Sequence, residues 1–525
     1  MTAQAQDASA APAKTVAAID IGSNLVRMTV AEVMPDGRFE VLEQLQRAVR
    51  LGQDTFRNGR IAGRTMRAAA AVLRDYRRIL DLYQVGLVRA VATSAVREAA
   101  NTDTFLDRMF MATGLDVEVI DTSEESRLTV SAVRHEVGGA FGLNRDYALI
   151  AEVGGGSALL TILHGGEIVA AQSLRLGSIR LQETLAAVYE PPDRMAKLLQ
   201  QQIANTISVV RGSLPLAKAS VFVAVGADAR FAADQVGKPA PPTGLRTVNT
   251  GNLDALVKQC RDKTLEQLAK AYGLAFTDAE TLSPALLVYQ ALLHAVRARR
   301  MIVSRVSMRD GLLLDLAHKV TGREDETLSM GVAQSAMGIA EKYKVDLAHA
   351  RKVADLADRL FDELQAEHGL GPRERLLLRA AALLHEVGGF VSSRAHHKHS
   401  YYLIANAEIF GLTRSELAVV ALIARYHRRS PPKPSHVEYT SLPRETRTVV
   451  SKLAALLRVA DALDNGHAQQ VQDIRCVRQD EDFVIYVPGA TDLALERAAM
   501  RAKGDLFEDV YGMRVRLEEA QPAMA

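Results

Sequence analysis

The chain has 525 residues, too many for one compact core, and its length alone points to three or four domains. Hydrophobic residues make up 48% and charged residues 24%, an ordinary globular balance, and a net charge of +2 makes no case for nucleic acid or for coating a polyanion along the whole surface. Two cysteines, Cys260 and Cys476, cannot build a disulfide framework, and no apolar run approaches the roughly 20 residues of a membrane span, so the expectation is a cytoplasmic protein without a membrane partner.

Residues 1–13 are Ala-rich, with no basic start and no long apolar core, and read as a disordered tail rather than a signal peptide. An apolar strand, Val16-Ala17-Ala18-Ile19, runs into Asp20-Ile21-Gly22-Ser23-Asn24, and Leu25 to Val33 suits the return strand of a hairpin. Arg64 to Tyr83 carries Met66, Ala69, Leu73, Tyr76, Leu80 and Tyr83 at helical steps. Leu87 to Ala92 is a strand entering Thr93-Ser94-Ala95-Val96-Arg97. A helix from about Thr104 stops at Gly114. Val117 to Ile120 is a further strand, and Ser123 is placed to cap a helix starting Glu124-Glu125.

The opening pattern then returns. Tyr147 to Ala151 runs into Glu152-Val153-Gly154-Gly155-Gly156-Ser157, and Ala158 to Leu163 suits another return strand. After it come Leu174 to Arg180, a helix from about Asp193 to Arg211, a strand from Ser220 ending at Gly226, helices to Arg305, and a strand-turn over Val306 to Gly311. From about residue 322 strands give way to amphipathic helices at 346–367, 372–387, 414–428 and 446–463, and histidines concentrate there. The β-rich runs Asp482 to Val487 and Val510 to Leu517 follow. These shifts divide the chain into α/β lobes at 14–140 and 141–318, an all-helical domain at 319–468 and a small α/β cap at 469–525.

The repeated device has a chemical meaning. Gly-rich turns let backbone N–H groups approach phosphate oxygens without a side chain in the way, Ser hydroxyls add donors, and an acid at the strand end can hold a metal ion or orient water. Two facing copies would grip a phosphate chain from both sides. The plain alternative for either copy alone is a hairpin whose glycines only satisfy turn geometry.

The ordered set Asp20-Ile-Gly-Ser-Asn24, Ala92-Thr-Ser-Ala-Val-Arg97, Ile120 through Glu124-Glu125-Ser-Arg-Leu128, Gly154-Gly-Gly-Ser157, Leu176-Gly-Ser-Ile-Arg180 and Arg309-Asp-Gly-Leu312 resembles the exopolyphosphatase / guanosine pentaphosphate phosphohydrolase family. Leu384-His-Glu-Val-Gly388 and Arg425-Tyr-His-Arg428 extend the resemblance over roughly residues 14–515. It implies two ribonuclease-H-like, actin-like lobes with an interlobe cleft, then an HD-like helical domain and the cap. It also implies a homodimer that removes terminal phosphate from inorganic polyphosphate or, as the alternative, the 5′ phosphate from guanosine pentaphosphate.

Carried over residue by residue, Glu125 is the expected base that activates water, although acids in a helix's first turn are also favoured by the dipole alone, the role expected of Glu124. Asp20 and Glu152 are expected to hold Mg²⁺. Ser94 and Arg97 suit terminal-phosphate recognition, with Gly22, Ser23, Asn24, Gly154, Gly155, Gly156 and Ser157 in the turns. Three positions depart from the family pattern. Glu152 stands where Asp is usual, Leu159 where a metal-serving Glu is usual, and Gly226-Ala227-Asp228 where Gly-Gly-Thr is usual. The departures motivate another reading, a polyphosphate or nucleotide sensor without catalysis.

In the helical domain His349 and Asp461 lie on apolar stripes and His385-Glu386 ends an apolar helix. This order resembles HD-type metal phosphohydrolases, with Glu in place of the usual Asp. The expectation is that His349, His385, Glu386 and Asp461 converge, as a second divalent-metal site or as a metal-free polar network. His399 and His427 are further candidate ligands, and a working HD-type site acting on a nucleotide is a third functional reading. Arg394, Lys398, Arg425, Arg428, Arg429 and Lys433 suit either a solvated face or a track for a polyanion.

Overall fold

The computed structural model describes residues 14–185, 192–261, 263–322, 326–407, 409–428, 430–489 and 492–520. The expected tail at 1–13 and Arg429 lie outside the described residues. The chain divides into two compact units, 1–323 and 324–525.

The first unit is built on two sheets of one topology. In the first, β1 (Lys14–Ile21), β2 (Leu25–Val33), β3 (Phe39–Ala48), β4 (Leu87–Ala92) and β5 (Val117–Val119) take the order β3-β2-β1-β4-β5. In the second, β6 (Tyr147–Val153), β7 (Ala158–His164), β8 (Glu167–Leu174), β9 (Val221–Val225), β10 (Lys238–Ala240), β11 (Leu245–Asn249) and β12 (Arg300–Val303) take the order β10-β11-β12-β9-β6-β7-β8. Reading β8-β7-β6-β9-β12 against β3-β2-β1-β4-β5 gives the same pattern of two antiparallel pairings followed by two parallel ones. Even the bulge recurs in the second strand, at Val30/Ala31 and at Ile162/Leu163. The central strands β1 and β6 are continuous apolar runs because both faces of each sheet are covered; Val16 to Ile19 are wholly buried.

The helix expected over 64–83 spans Gly63–Leu82, with Met66, Ala69, Leu73, Tyr76 and Leu80 buried, and Gly114 closes helix Thr102–Thr113 in the left-handed conformation. Two expectations are corrected. The cap of helix Thr122–Val137 is Asp121, whose carboxylate accepts from the Glu124 N–H, so Ser123 sits inside the first turn. Val306 to Gly311 is no strand-turn. Ser307 caps helix Met308–Thr321, with Asp310 accepting from the Ser307 N–H at 2.7 Å. That helix runs through the expected boundary at 318/319 and returns to the first sheet, where Met308, Leu312, Leu313 and Leu316 pack with Val16, Ala18, Ala31 and Val91. Helix Thr122–Val137 contributes Leu128 to that core and Val130, Val133 and Val137 to the core under the second sheet. One helix thus carries residues between both sheets.

In the second unit, helices Glu326–Lys342, Leu347–Glu363, Pro372–Leu384, His396–Ala405, Arg414–Arg425 and Arg444–Leu463 share one hydrophobic core. The helix expected to reach 387 ends at Leu384, and residues 387–390 form a 3₁₀ turn. A Cβ on Gly388 would lie 2.1 Å from the His396 carbonyl oxygen, so only glycine lets this turn approach the next helix. The small sheet β13 (Arg475–Gln479), β14 (Asp482–Pro488) and β15 (Arg514–Ala520), with helices Ala494–Lys503 and Asp505–Tyr511, adds Phe483, Ile485, Met500 and Phe507 to the same core. Among the described residues no helix is long and apolar enough to cross a membrane.

Gly311 tests the helix pairing of the first unit. A Cβ there would lie 2.2 Å from the Leu128 carbonyl oxygen, which is backbone and cannot swing away. Gly311→Ala is expected to destabilise the unit by about 1–3 kcal/mol, read as a lower thermal midpoint.

Candidate active site

The two glycine turns are closed by the same bond. The Gly22 N–H donates to the Leu25 carbonyl at 3.1 Å and the Gly154 N–H donates to the Ser157 carbonyl at 2.9 Å. The turns face each other. A Cβ on Gly155 would lie 3.1 Å from Ser23 Cβ, and one on Gly156 would lie 2.1 Å from Ser94 Oγ and 2.8 Å from Ser23 Oγ. The Ser23 and Ser94 hydroxyls are 3.3 Å apart and buried. Ser23, Asn24, Gly155 and Gly156 have, among the described residues, no backbone acceptor for their N–H groups. Of the expected phosphate residues, Ser23, Ser94, Gly155 and Gly156 therefore meet at one point, from both sheets.

Three carboxylates lie beside them. Asp20 is the penultimate residue of β1, Glu152 the penultimate residue of β6, and Glu125 occupies the first turn of helix Thr122–Val137. Burial pushes the Glu125 carboxyl up to about 7 against the pull of Arg97, and the charges of Glu152 and Asp20 push it further. Glu152 is raised by burial, with Thr129 opposing and Asp20 adding to the rise. The Arg97 guanidinium donates to Glu125 and to the Ile120 carbonyl. Glu124 points elsewhere. Burial opposes its ionisation, yet Arg127 and Arg89 hold its carboxyl at about 2 in an ion-pair network with Asp315. The two adjacent glutamates thus divide, Glu125 toward Asp20 and Glu152, and Glu124 into an ion-pair network in place of the simple dipole role expected of it.

Several site residues escaped the sequence reading. Arg27 and Arg309 flank Asp20, at 3.6 and 3.5 Å from Oδ2. Arg27 is the cross-strand partner of Asp20 in the hairpin, a pairing that the register of a short turn implies. Thr129 donates to Glu152 Oε2 at 2.7 Å and lies four residues after Glu125, on the same helix face. Arg180 donates to the Gly156 carbonyl at 2.6 Å and to Glu98, and its guanidinium lies 3.9 Å above the Phe56 ring, so it ties the second turn to the first lobe.

The departures also have places. Leu159 pairs across the strands with Glu152, is buried, and so stands beside it on one face of the sheet. Asp228 accepts from Thr281 Oγ1 at 3.1 Å, and burial raises its carboxyl to about 6, which lessens the negative charge it places there at neutral pH. The all-oxygen set of Asp20, Glu125 and Glu152, in which the charge of Asp20 helps raise both glutamates, suits a hard divalent cation such as Mg²⁺.

In the second unit the expected histidines converge. Asp461 Oδ1 lies 3.8 Å from Nε2 of His349 and 3.8 Å from Nε2 of His385. The His349 ring meets Asp464 Oδ2 through Nδ1 at 2.8 Å, and the His385 ring meets the Ala382 carbonyl through Nδ1 at 2.7 Å. Both Nε2 atoms are buried without a partner. Glu386 falls in a second group that shares His349 with this one. Its carboxylate gathers with His349 and His467, a residue the sequence reading missed. His427 joins through its contact with His385 and lies 3.1 Å, Nε2 to Nε2, from His396, also missed. Of the basic run, Arg425 pairs with Glu438 and covers Tyr401, and Arg428 lowers the pKa of His396 and His397 after burial does.

The Ppx/GppA phosphatase family model matches residues 29–320, and the model of domain III of that family matches residues 333–493. The chain belongs to the Ppx/GppA phosphatase family. Its fold is that family's, a mixed α/β, actin-like pair of sheets followed by a helical C-terminal region. An exopolyphosphatase structure from Cytophaga hutchinsonii is similar at 23% identity and TM-score 0.53, over 58% of this chain and 98% of that one. The structure of the Aquifex aeolicus Ppx/GppA family member aligns at 25% identity and TM-score 0.49, over 59% and 99%. Both alignments cover nearly the whole of a shorter neighbour.

Gly156 tests the facing turns. Because its Cβ would collide with Ser94, Phe56 and Ser23, Gly156→Ala is expected to lower kcat/KM for phosphate release by about 10²-fold while the thermal midpoint changes little.

Proposed function

We propose that this chain is an Mg²⁺-dependent exopolyphosphatase, releasing terminal phosphate from inorganic polyphosphate between the two lobes. The observation that carries this reading is the meeting of three buried carboxylates with two facing glycine turns. The terminal phosphate seats on the amides of Ser23, Asn24, Gly155 and Gly156, with the hydroxyls of Ser23 and Ser94 as further donors. Arg97 exchanges part of its contact with Glu125 for a phosphate oxygen. Glu125, freed at one oxygen, orients a water molecule and takes its proton as the water attacks phosphorus in line with the leaving oxygen. Asp20 and Glu152 would hold Mg²⁺, and Arg27 and Arg309 flank Asp20 and aim it. When bound, Mg²⁺ neutralises charge on the phosphoryl oxygens. Guanosine pentaphosphate is the alternative substrate, since it presents the same terminal phosphoanhydride.

A second proposal concerns the helical unit, which we read as HD-like and able to bind a divalent transition metal. Two buried, unpartnered Nε2 atoms aimed at one carboxylate support it, because metal-binding histidines are typically held through the other ring nitrogen. His349, His385 and Asp461 form the ligand core, a set that suits Mn, Fe or Zn.

Two outcomes test the cleft. Glu125→Gln is expected to lower polyphosphate turnover by about 10²–10⁴ with little change in substrate binding. Near-normal phosphate release would remove Glu125 from the mechanism. Leu159→Glu, which sets a carboxylate beside Glu152, is expected to lower the Mg²⁺ concentration for half-maximal activity. An unchanged requirement would mean that the existing carboxylates already complete the site.

A further inference from the structure

The carboxylate of Asp461 is shared between two kinds of partner. Oδ1 faces the unpartnered Nε2 atoms of His349 and His385, while Oδ2 accepts from Lys503 Nζ at 2.6 Å. Lys503 is the last residue of helix Ala494–Lys503, and its side chain is only 16% exposed. The histidines face the one carboxylate oxygen that the lysine leaves open.

We propose that Lys503 is the resident cation of this cluster and sets how tightly it takes a divalent transition metal. The inference rests on the metal reading above. A buried carboxylate needs a positive neighbour, and two can serve here, the ammonium or a metal ion. Lys503 supplies one permanently. It keeps the site intact without metal, and it repels any dication that binds His349, His385 and Asp461 Oδ1. It also denies the metal the second carboxylate oxygen. The same ammonium aims the carboxylate, which favours binding, but repulsion of a doubly charged ion a few ångströms away outweighs the alignment of one oxygen.

The test uses the full chain, stripped with a chelator, and titrates Zn²⁺ and Mn²⁺ by calorimetry and by thermal shift. Wild type, Lys503→Met, Lys503→Gln and His385→Ala are compared. Lys503→Met is expected to bind one metal ion at least about tenfold more tightly than wild type, and His385→Ala to lose that binding. Lys503→Gln keeps a donor to Asp461 without the charge and is expected to tighten as well. Equal or weaker affinity in both neutral variants would overturn the role of Lys503 while leaving the metal site standing. No binding to any variant would overturn the metal reading itself. If Lys503→Met does not fold, Lys503→Gln decides alone. If neither neutral variant folds, wild-type affinity measured with and without acetylation of Lys503 decides, with no gain on acetylation counting against the proposal.

Discussion

Three acids buried at one point cannot all stay charged unless cations meet them, and the first unit is arranged around that constraint. Asp20, Glu125 and Glu152 come from three separate elements, and Arg27, Arg97 and Arg309 come from three others. The balance is incomplete by design of the site. Asp20 pairs with two arginines, Glu125 pairs with one and Glu152 accepts from a threonine hydroxyl, and burial raises the carboxyls of both glutamates against these partners. Arg27 and Arg309 act on Glu152 only from a distance, after burial and Asp20 have raised it. A phosphate chain would bring more negative charge, which is the physical ground for proposing a hard cation at this site.

The duplicated fold is what brings these groups together. Each sheet ends its first strand in an acid and a glycine turn, and the helices Thr122–Val137 and Met308–Thr321 connect the cores. Helix Thr122–Val137 carries Glu125 and Thr129 on one face and Glu124 and Arg127 on another. The catalytic candidate and the ion-pair network are therefore fixed by the same rigid element. Close packing at Gly311 and Gly156 sets how tightly this assembly closes.

Much of this was legible in the sequence because the signals were local. The apolar run into Asp20-Ile-Gly-Ser-Asn24 and its echo at Glu152 gave the strands, the turns and the pairing of lobes. Ser123 was mistaken for the cap because Asp121, two residues earlier, has the same competence, and only the geometry of the preceding strand end decides between them. Val306 to Gly311 read as a strand-turn because the apolar start masked a Ser307–Asp310 capping box. Arg180 and Thr129 act across tertiary contacts that no spacing rule announces. In the helical unit the stripes of His349 and Asp461 were correct signals of convergence. Glu386 meets His349, as expected of the cluster, but in a group with His467 and not in the group of His385 and Asp461, a division that the helix-end position does not announce.

The most direct test of the account is the position of a single oxygen atom. Hydrolysis of polyphosphate and of guanosine pentaphosphate in ¹⁸O-labelled water, limited to one turnover and read by mass spectrometry, reports which phosphorus the water attacks. Water activated by Glu125 against a terminal phosphate seated in the glycine turns predicts one ¹⁸O in the released orthophosphate and none in the shortened chain. Label in the shortened chain, or no phosphate release from either compound, would contradict it.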